Sequence, residues 1–263
     1  MKKTIVKGIV LFLVGVALLS VHPVEARRVK EGNRFMPLDY KTILSSNVRF
    51  FFFGEAHDDV ASKQNLKSKL SLMKSLGFTH LAMEMLPTWY QETVDEYLEY
   101  GTGLDKLDEY LKYDWDFSPG SAEAYLELIK EAKRVGLKVL AIGISQGMAS
   151  RMTLENIDKL MTENLINKVT DEDRVIILTG GFHARKVAMP QVLQNVYKLD
   201  SVSIEYEYPD NSTYSITSWI ESKGIKIDFD DRPYMFSPAA FSSDPIYESH
   251  EFFKFFDWYI CLP

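Results

Sequence analysis

Four short runs, VRFFFF (48–53), HLAMEM (80–85), LKVLAIGI (137–144) and RVIILTG (174–180), are apolar almost continuously rather than at every second position. A strand with one wet face alternates; a strand without alternation is covered on both faces. The covering layers must come from the intervening segments, and these have helical spacing. SKQNLKSKLSLMKSLG places Leu66, Leu70, Met73 and Leu76 on one stripe and stops at Gly77. SAEAYLELIKEAKRVG repeats the scheme, with Ser121 as the expected cap, Tyr125, Leu128, Ile129 and Ala132 as the stripe and Gly136 as the stop, and a third helix is expected from Thr153. Strands alternating with helices imply parallel crossovers. The fold class is therefore α/β: a three-layer α/β/α arrangement with an open, mostly parallel sheet. With 263 residues, 46% of them hydrophobic, the chain can bury a full core in one domain.

The C-terminal part reads differently. From about Ser201 the chain alternates, which predicts one or two edge strands joined at Pro-Asp-Asn, 209–211, where Asn211 also opens a glycosylation sequon. Beyond it, the proline-punctuated, aromatic-rich stretch to Pro263 predicts an irregular wrap over the sheet. The expected organisation is a core over about 48–206 and an aromatic-rich irregular C-terminal extension over 207–263.

At the other end, lysines at 2, 3 and 7, an apolar stretch from Ile9 to Val21, and Val24 and Ala26 in an A-x-A-like pattern read as a signal peptide over 1–26. A single domain over 27–263 follows, with export to the periplasm or the medium and no membrane span after cleavage. Loss of Lys2, Lys3, Lys7 and Glu25 would take the formal charge from −7 to −9. Such acidity argues against a nucleic-acid partner. It leaves a small-molecule ligand, an envelope partner or a homodimer open. Cys261, the only cysteine, cannot form an internal disulfide.

Ligands of parallel sheets bind beyond the carboxyl ends of the strands, and three of the four runs end there in titratable groups. FFFFGEAHDD delivers Glu55, His57, Asp58 and Asp59; HLAMEM delivers Glu84; TGGFHARK delivers His183, Arg185 and Lys186 after two glycines that would let a ligand approach the backbone. Singly, Glu55 or Asp58 could cap the next helix and His183 could be a core histidine. Jointly, two imidazoles and several carboxylates at three strand ends mark a site. Such a set suits Mn, Fe, Co or Zn, with Glu55, His57, Glu84 and His183 as ligands, or a general base with an orienting acid. His80 lies four residues before Glu84, roughly 13 Å away at about 3.3 Å per residue, and stays outside the site. His250 falls in the aromatic tail.

GEAHDD followed by a helix, LAMEM, YDWDFSPGSAEAYLELIKEAKRVGLKVLAIGIS and TGGFHARKVAMP together resemble the ChaN-like proteins of the haem-binding uptake and Tiki superfamily, from Val48 to Pro190. The resemblance implies an open α/β/α fold with its pocket at the strand ends, and an envelope protein that binds haem. It also implies kinship with metal-dependent proteases of the Tiki type and with erythromycin esterases. Glu55 and His57 match its first motif, Glu84 its second, and His183 with Arg185 its last. Three features depart from the pattern: Ser62 and Lys63 stand where members often carry a His-His pair, AIGIS replaces an asparagine-containing turn, and the lipid-attachment cysteine of many members is absent.

Two functions follow as expectations. A binding protein for iron or haem uptake would hold haem through His57 or His183, or through a tyrosine such as Tyr113, Tyr234 or Tyr247. A hydrolase would use the Glu55, His57, Glu84 and His183 cluster on a metal-bound water, or His57 as base with Glu84 orienting it, and Arg185 would neutralise an oxyanion or hold a substrate carboxylate.

Overall fold

The computed structural model describes residues 34–207, 216, 220, 222, 233–241 and 254–262. The expected signal peptide, the 209–211 turn, Asn211, Tyr247 and His250 lie outside the described residues.

Eight described strands form one sheet: β1 (Met36–Pro37), β2 (Phe50–Glu55), β3 (His80–Pro87), β4 (Lys138–Gly143), β5 (Val175–Gly180), β6 (Ser201–Glu207), β7 (Tyr234–Phe236) and β8 (Trp258–Cys261). Their order is β1-β7-β8-β6-β2-β5-β3-β4; β8, β6, β2, β5, β3 and β4 run parallel, while β7 and β1 are antiparallel additions. The helices are α1 (Tyr40–Ile43), α2 (Val60–Ser75), α3 (Gln91–Tyr100), α4 (Leu104–Asp114), α5 (Ser121–Val135), α6 (Gln146–Ala149), α7 (Leu154–Ile166), α8 (Gly181–Ala184) and α9 (Met189–Val192). Among the described residues no helix is long and apolar enough to cross a membrane.

The four phenylalanines of β2 show why the run does not alternate. Phe51 and Phe53 enter a core closed by α2, α3, α4 and α5, whereas Phe50 and Phe52 enter a second core closed by α7, α8 and α9. All four are fully buried, each worth roughly 1.5–3 kcal/mol of burial. Leu66, Leu70 and Met73 seat α2, while Tyr125, Leu128, Ile129 and Ala132 seat α5. Gly77 and Gly136 close the two helices with φ of 87° and 76°, conformations that a side chain would disfavour. Thr153 caps α7 through the Asn156 amide, as its position implies.

Two expectations are corrected. Ser121 is not the cap of α5: Gly120, at φ 87°, precedes the helix, and Ser121 is its buried first residue, with Oγ donating to the Trp115 carbonyl at 3.0 Å and accepting from the Ser118 amide at 3.2 Å. The alternating run from Ser201 is not an edge strand. β6 lies between β2 and β8, because the aromatic extension returns to the sheet and adds β8 and β7 beside it. That extension is thus partly regular, and its aromatic rings, Phe236, Phe241, Phe256 and Tyr259, pack on one another.

Candidate functional site

β2 ends on Glu55, which shares the face of Phe51 and Phe53 and is 2% exposed beneath α2 and α5. Both of its oxygens are engaged. Oε1 accepts from Tyr125 Oη and pairs with His57 Nδ1, each at 2.8 Å, and Oε2 accepts from the ammonium of Lys63. Lys63 is fully buried and spends its other two donors on the carbonyls of Asp59, at 2.7 Å, and Ala56, at 3.1 Å. The cap of α2 is neither Glu55 nor Asp58 but Asp59, which accepts from the amides of Ala61 and Ser62. The His57 ring meets Trp115 edge-on at 5.0 Å and stacks on Phe117 at 5.7 Å.

Glu84 sits on the other face, two strands away. Its Oε2 accepts from the Gly180 amide at 2.7 Å and its Oε1 lies 3.6 Å from His183 Nε2. His183 Nδ1 is bonded to Asp158 of α7 at 2.6 Å. Each imidazole therefore has Nδ1 on a carboxylate, and Glu84 contributes charge to both.

The glycines in these motifs make room for side chains rather than for a ligand, which corrects the reading of the Gly-Gly pair. A Cβ on Gly180 would stand 2.9 Å from Cε1 and Nε2 of His57. One on Gly181 would stand 2.5 Å from Glu205 Oε1, and one on Gly54 would collide with the same carboxyl. Gly143, in the AIGIS element, lies against the Glu84 carbonyl where the register of β3 on β4 shifts after Met83.

Burial alone would raise the Glu55 carboxyl, but the bond to His57 and the Lys63 charge outweigh it and hold it below the usual range. Burial would lower both histidines; the bonds to Glu55 and Asp158 and the charge of Glu84 reverse this and raise them. Glu205 differs. Burial, reinforced by Glu207, pushes it well above the usual range, and its Oε2 has no hydrogen-bond partner among the described residues.

Arg185 belongs to the wall of a neighbouring cleft. Its guanidinium lies 4.3 Å from the Phe182 ring centroid and 4.8 Å from that of Phe255, and its charge acts on Glu205. The cleft, about 750 Å³, opens beside His183 and Asp158, between the start of α7 and the segment from Phe182 to Val196. Leu154, Phe182, Val187 and Val196 line it and are each more than half exposed. Of the tyrosines considered, Tyr113 is 88% exposed and Tyr234 lies in β7, packed on Phe35. His80 is at the opposite ends of the strands, bonded to Thr79 and near Asp173.

Three side chains at this edge of the sheet lie outside the motifs. Lys63 precedes Leu66, Leu70 and Met73 on the buried stripe of α2, and Asp158 stands beside Ile157 on that of α7. A charge at an apolar position was the available signal in both cases. Glu205 lies in β6, for which alternation predicts an edge.

Glu55, His57, Glu84 and His183 do not assemble as four ligands. Among the described residues no group of three or more His, Cys, Asp or Glu stands where it could hold a metal ion. Glu55 is taken up by Lys63, Tyr125 and His57, and the two imidazoles reach the edge from opposite faces.

Fold and site together define an open α/β protein with carboxylate-held imidazoles at the carboxyl edge of its sheet and a cleft of mixed polar and apolar lining alongside. Residues 45–167 match the family described as haem-binding uptake, Tiki superfamily, ChaN. Among solved structures, a protein of Bacillus cereus is similar at a TM-score of 0.56 and 11% identity, over 87% of this chain and 94% of that one. A mutant of the erythromycin esterase EreC in its open conformation is similar at 0.51 and 11%, over 88% and 97%. ChaN of Campylobacter jejuni, with cofacially bound haem, aligns at 0.49 and 15%, over 69% and 93%. These likenesses concern the fold. No curated protein matches the chain in sequence.

Proposed function

We propose that this chain is an exported ChaN-like protein that binds haem in the cleft beside His183 and serves haem or iron uptake. The observation that carries the reading is the pairing of a cleft lined by both apolar and cationic side chains with a histidine whose Nδ1 is already held by Asp158. The cleft volume of about 750 Å³ falls in the range of small-molecule sites, about 300–1,000 Å³. Phe182, Val187 and Val196 would cover the faces of a porphyrin, and Arg185 and Lys159, both on the lining, would meet its carboxylates. His183 would bind the iron through Nε2. The Asp158 bond would fix the ring and strengthen it as a donor, and Glu84 at 3.6 Å is beyond hydrogen-bond range of that nitrogen. Bound haem would supply a redox-active iron.

The test is a titration of the purified chain with haemin, followed by the Soret band, for wild type, His183→Ala and His57→Ala. The reading expects a saturable shift in the wild type that weakens at least tenfold in His183→Ala and persists in His57→Ala. No saturable shift, or an unchanged His183→Ala titration, overturns it.

A second reading is favoured by the Glu55–His57 bond at 2.8 Å beside the rings of Trp115 and Phe117. His57 would act through Nε2 as a general base in ester hydrolysis, oriented by Glu55. Turnover of nitrophenyl esters, lost in His57→Ala and retained in His183→Ala, would support it; equal turnover in wild type and His57→Ala would remove it.

A further inference from the structure

We infer that Lys63 is a positioning residue: by holding Glu55 as a carboxylate it places the ring proton of His57 on Nδ1 and leaves Nε2 as the working nitrogen at the edge of the sheet. The residue stands where the family pattern often has a histidine, and the geometry shows what it does there. Its ammonium is fully buried, and its three donors go to Glu55 Oε2 and the carbonyls of Ala56 and Asp59. It spans both ends of the turn that carries His57 and neutralises the carboxylate on which that histidine rests. Tyr125 completes the arrangement, since its hydroxyl donates to the same oxygen, Oε1, that faces His57 Nδ1.

The tautomer follows from the donor count. An ionised Glu55 can only accept, so the nitrogen opposite it must carry hydrogen. Without Lys63, and with His57 uncharged, the carboxyl would remain buried with no cation bonded to it, and such a group takes up a proton. A protonated Glu55 donates, and its favoured partner is a bare Nδ1. Removing Lys63 should therefore move the hydrogen of neutral His57 from Nδ1 to Nε2.

This inference rests on the second reading, in which His57 Nε2 is the working base. It is tested without haem or substrate, so its failure and that reading's failure are separate outcomes. The full chain, with nitrogen-15 in its histidines, would be studied by long-range proton–nitrogen correlation above the pH at which His57 loses its charge, with His57→Gln used for assignment. The expected result is Nδ1–H in the wild type and a majority of Nε2–H in Lys63→Met. A folded Lys63→Met protein that keeps the wild-type tautomer overturns the inference.

If Lys63→Met does not fold, Lys63→Met with Glu55→Gln decides the matter. Recovery of folding in the double variant shows that the buried carboxylate was what Lys63 served. Failure of both assigns Lys63 to the Ala56 and Asp59 carbonyls alone and overturns the inference.

Discussion

The imidazole of His57 fills the place that a side chain on Gly180 would occupy, since a Cβ there would stand 2.9 Å from both Cε1 and Nε2. The end of β5 therefore accepts no side chain while His57 keeps its bond to Glu55. Gly180→Ala should cost about 1–3 kcal/mol, the usual scale of overpacking, with an unchanged denaturant slope. Urea unfolding monitored by tryptophan fluorescence measures it; a variant as stable as wild type would show that the ring moves away freely.

Tyr125 Oη donates to Glu55 Oε1 at 2.8 Å from the buried face of α5. Tyr125→Phe leaves the ring packing intact and removes one donor from a buried carboxylate. A loss of about 1–3 kcal/mol is expected, because a group charged in the folded state is left less satisfied. Urea unfolding beside the wild type checks it, and a loss below about 0.5 kcal/mol, the range of neutral surface changes, would refute it.

Phe182 is exposed and lines the cleft beside His183. Phe182→Asp should therefore weaken haemin binding at least fivefold while shifting stability by no more than about 0.5 kcal/mol. Equal Soret titrations of the two proteins would place the ligand elsewhere.

Stability should fall on both sides of a mildly acidic plateau. Glu55 is held below its ordinary value of 4.5 in the fold, so its contribution is complete above that value and is lost as pH falls through the folded-state one. His57 and His183 are raised above 6.5. Their contributions are complete below 6.5 and are lost as pH rises through their folded-state values. Urea midpoints measured across this range should drop at both ends, and combined His57→Gln and His183→Gln replacement should remove the alkaline decline. An alkaline decline identical in that variant would count against the assignment.

Much of the architecture was legible because burial on both faces erases alternation, as Phe50 to Phe53 show, and because Leu66, Leu70 and Met73 recur at helical spacing. The error at Ser201 has the same root: alternation predicts a half-exposed strand, but β8 arrives from more than fifty residues downstream to cover β6. Ser121 misled because a serine before a helix usually caps it, whereas here the Trp115 carbonyl claims its hydroxyl.

Sequence alone determined which residue types stand at the strand ends, Glu55, His57, Glu84 and His183, since strand boundaries are set by local hydrophobicity. Only the tertiary structure decided their partners. Lys63 with Glu55, Tyr125 with Glu55, Asp158 with His183 and Glu84 with the Gly180 amide are matched across 8, 70, 25 and 96 positions of chain. Such pairings depend on which face each helix covers and on the register of neighbouring strands, and one residue of register reverses every side chain on a strand. Spacing along the chain carries no record of either.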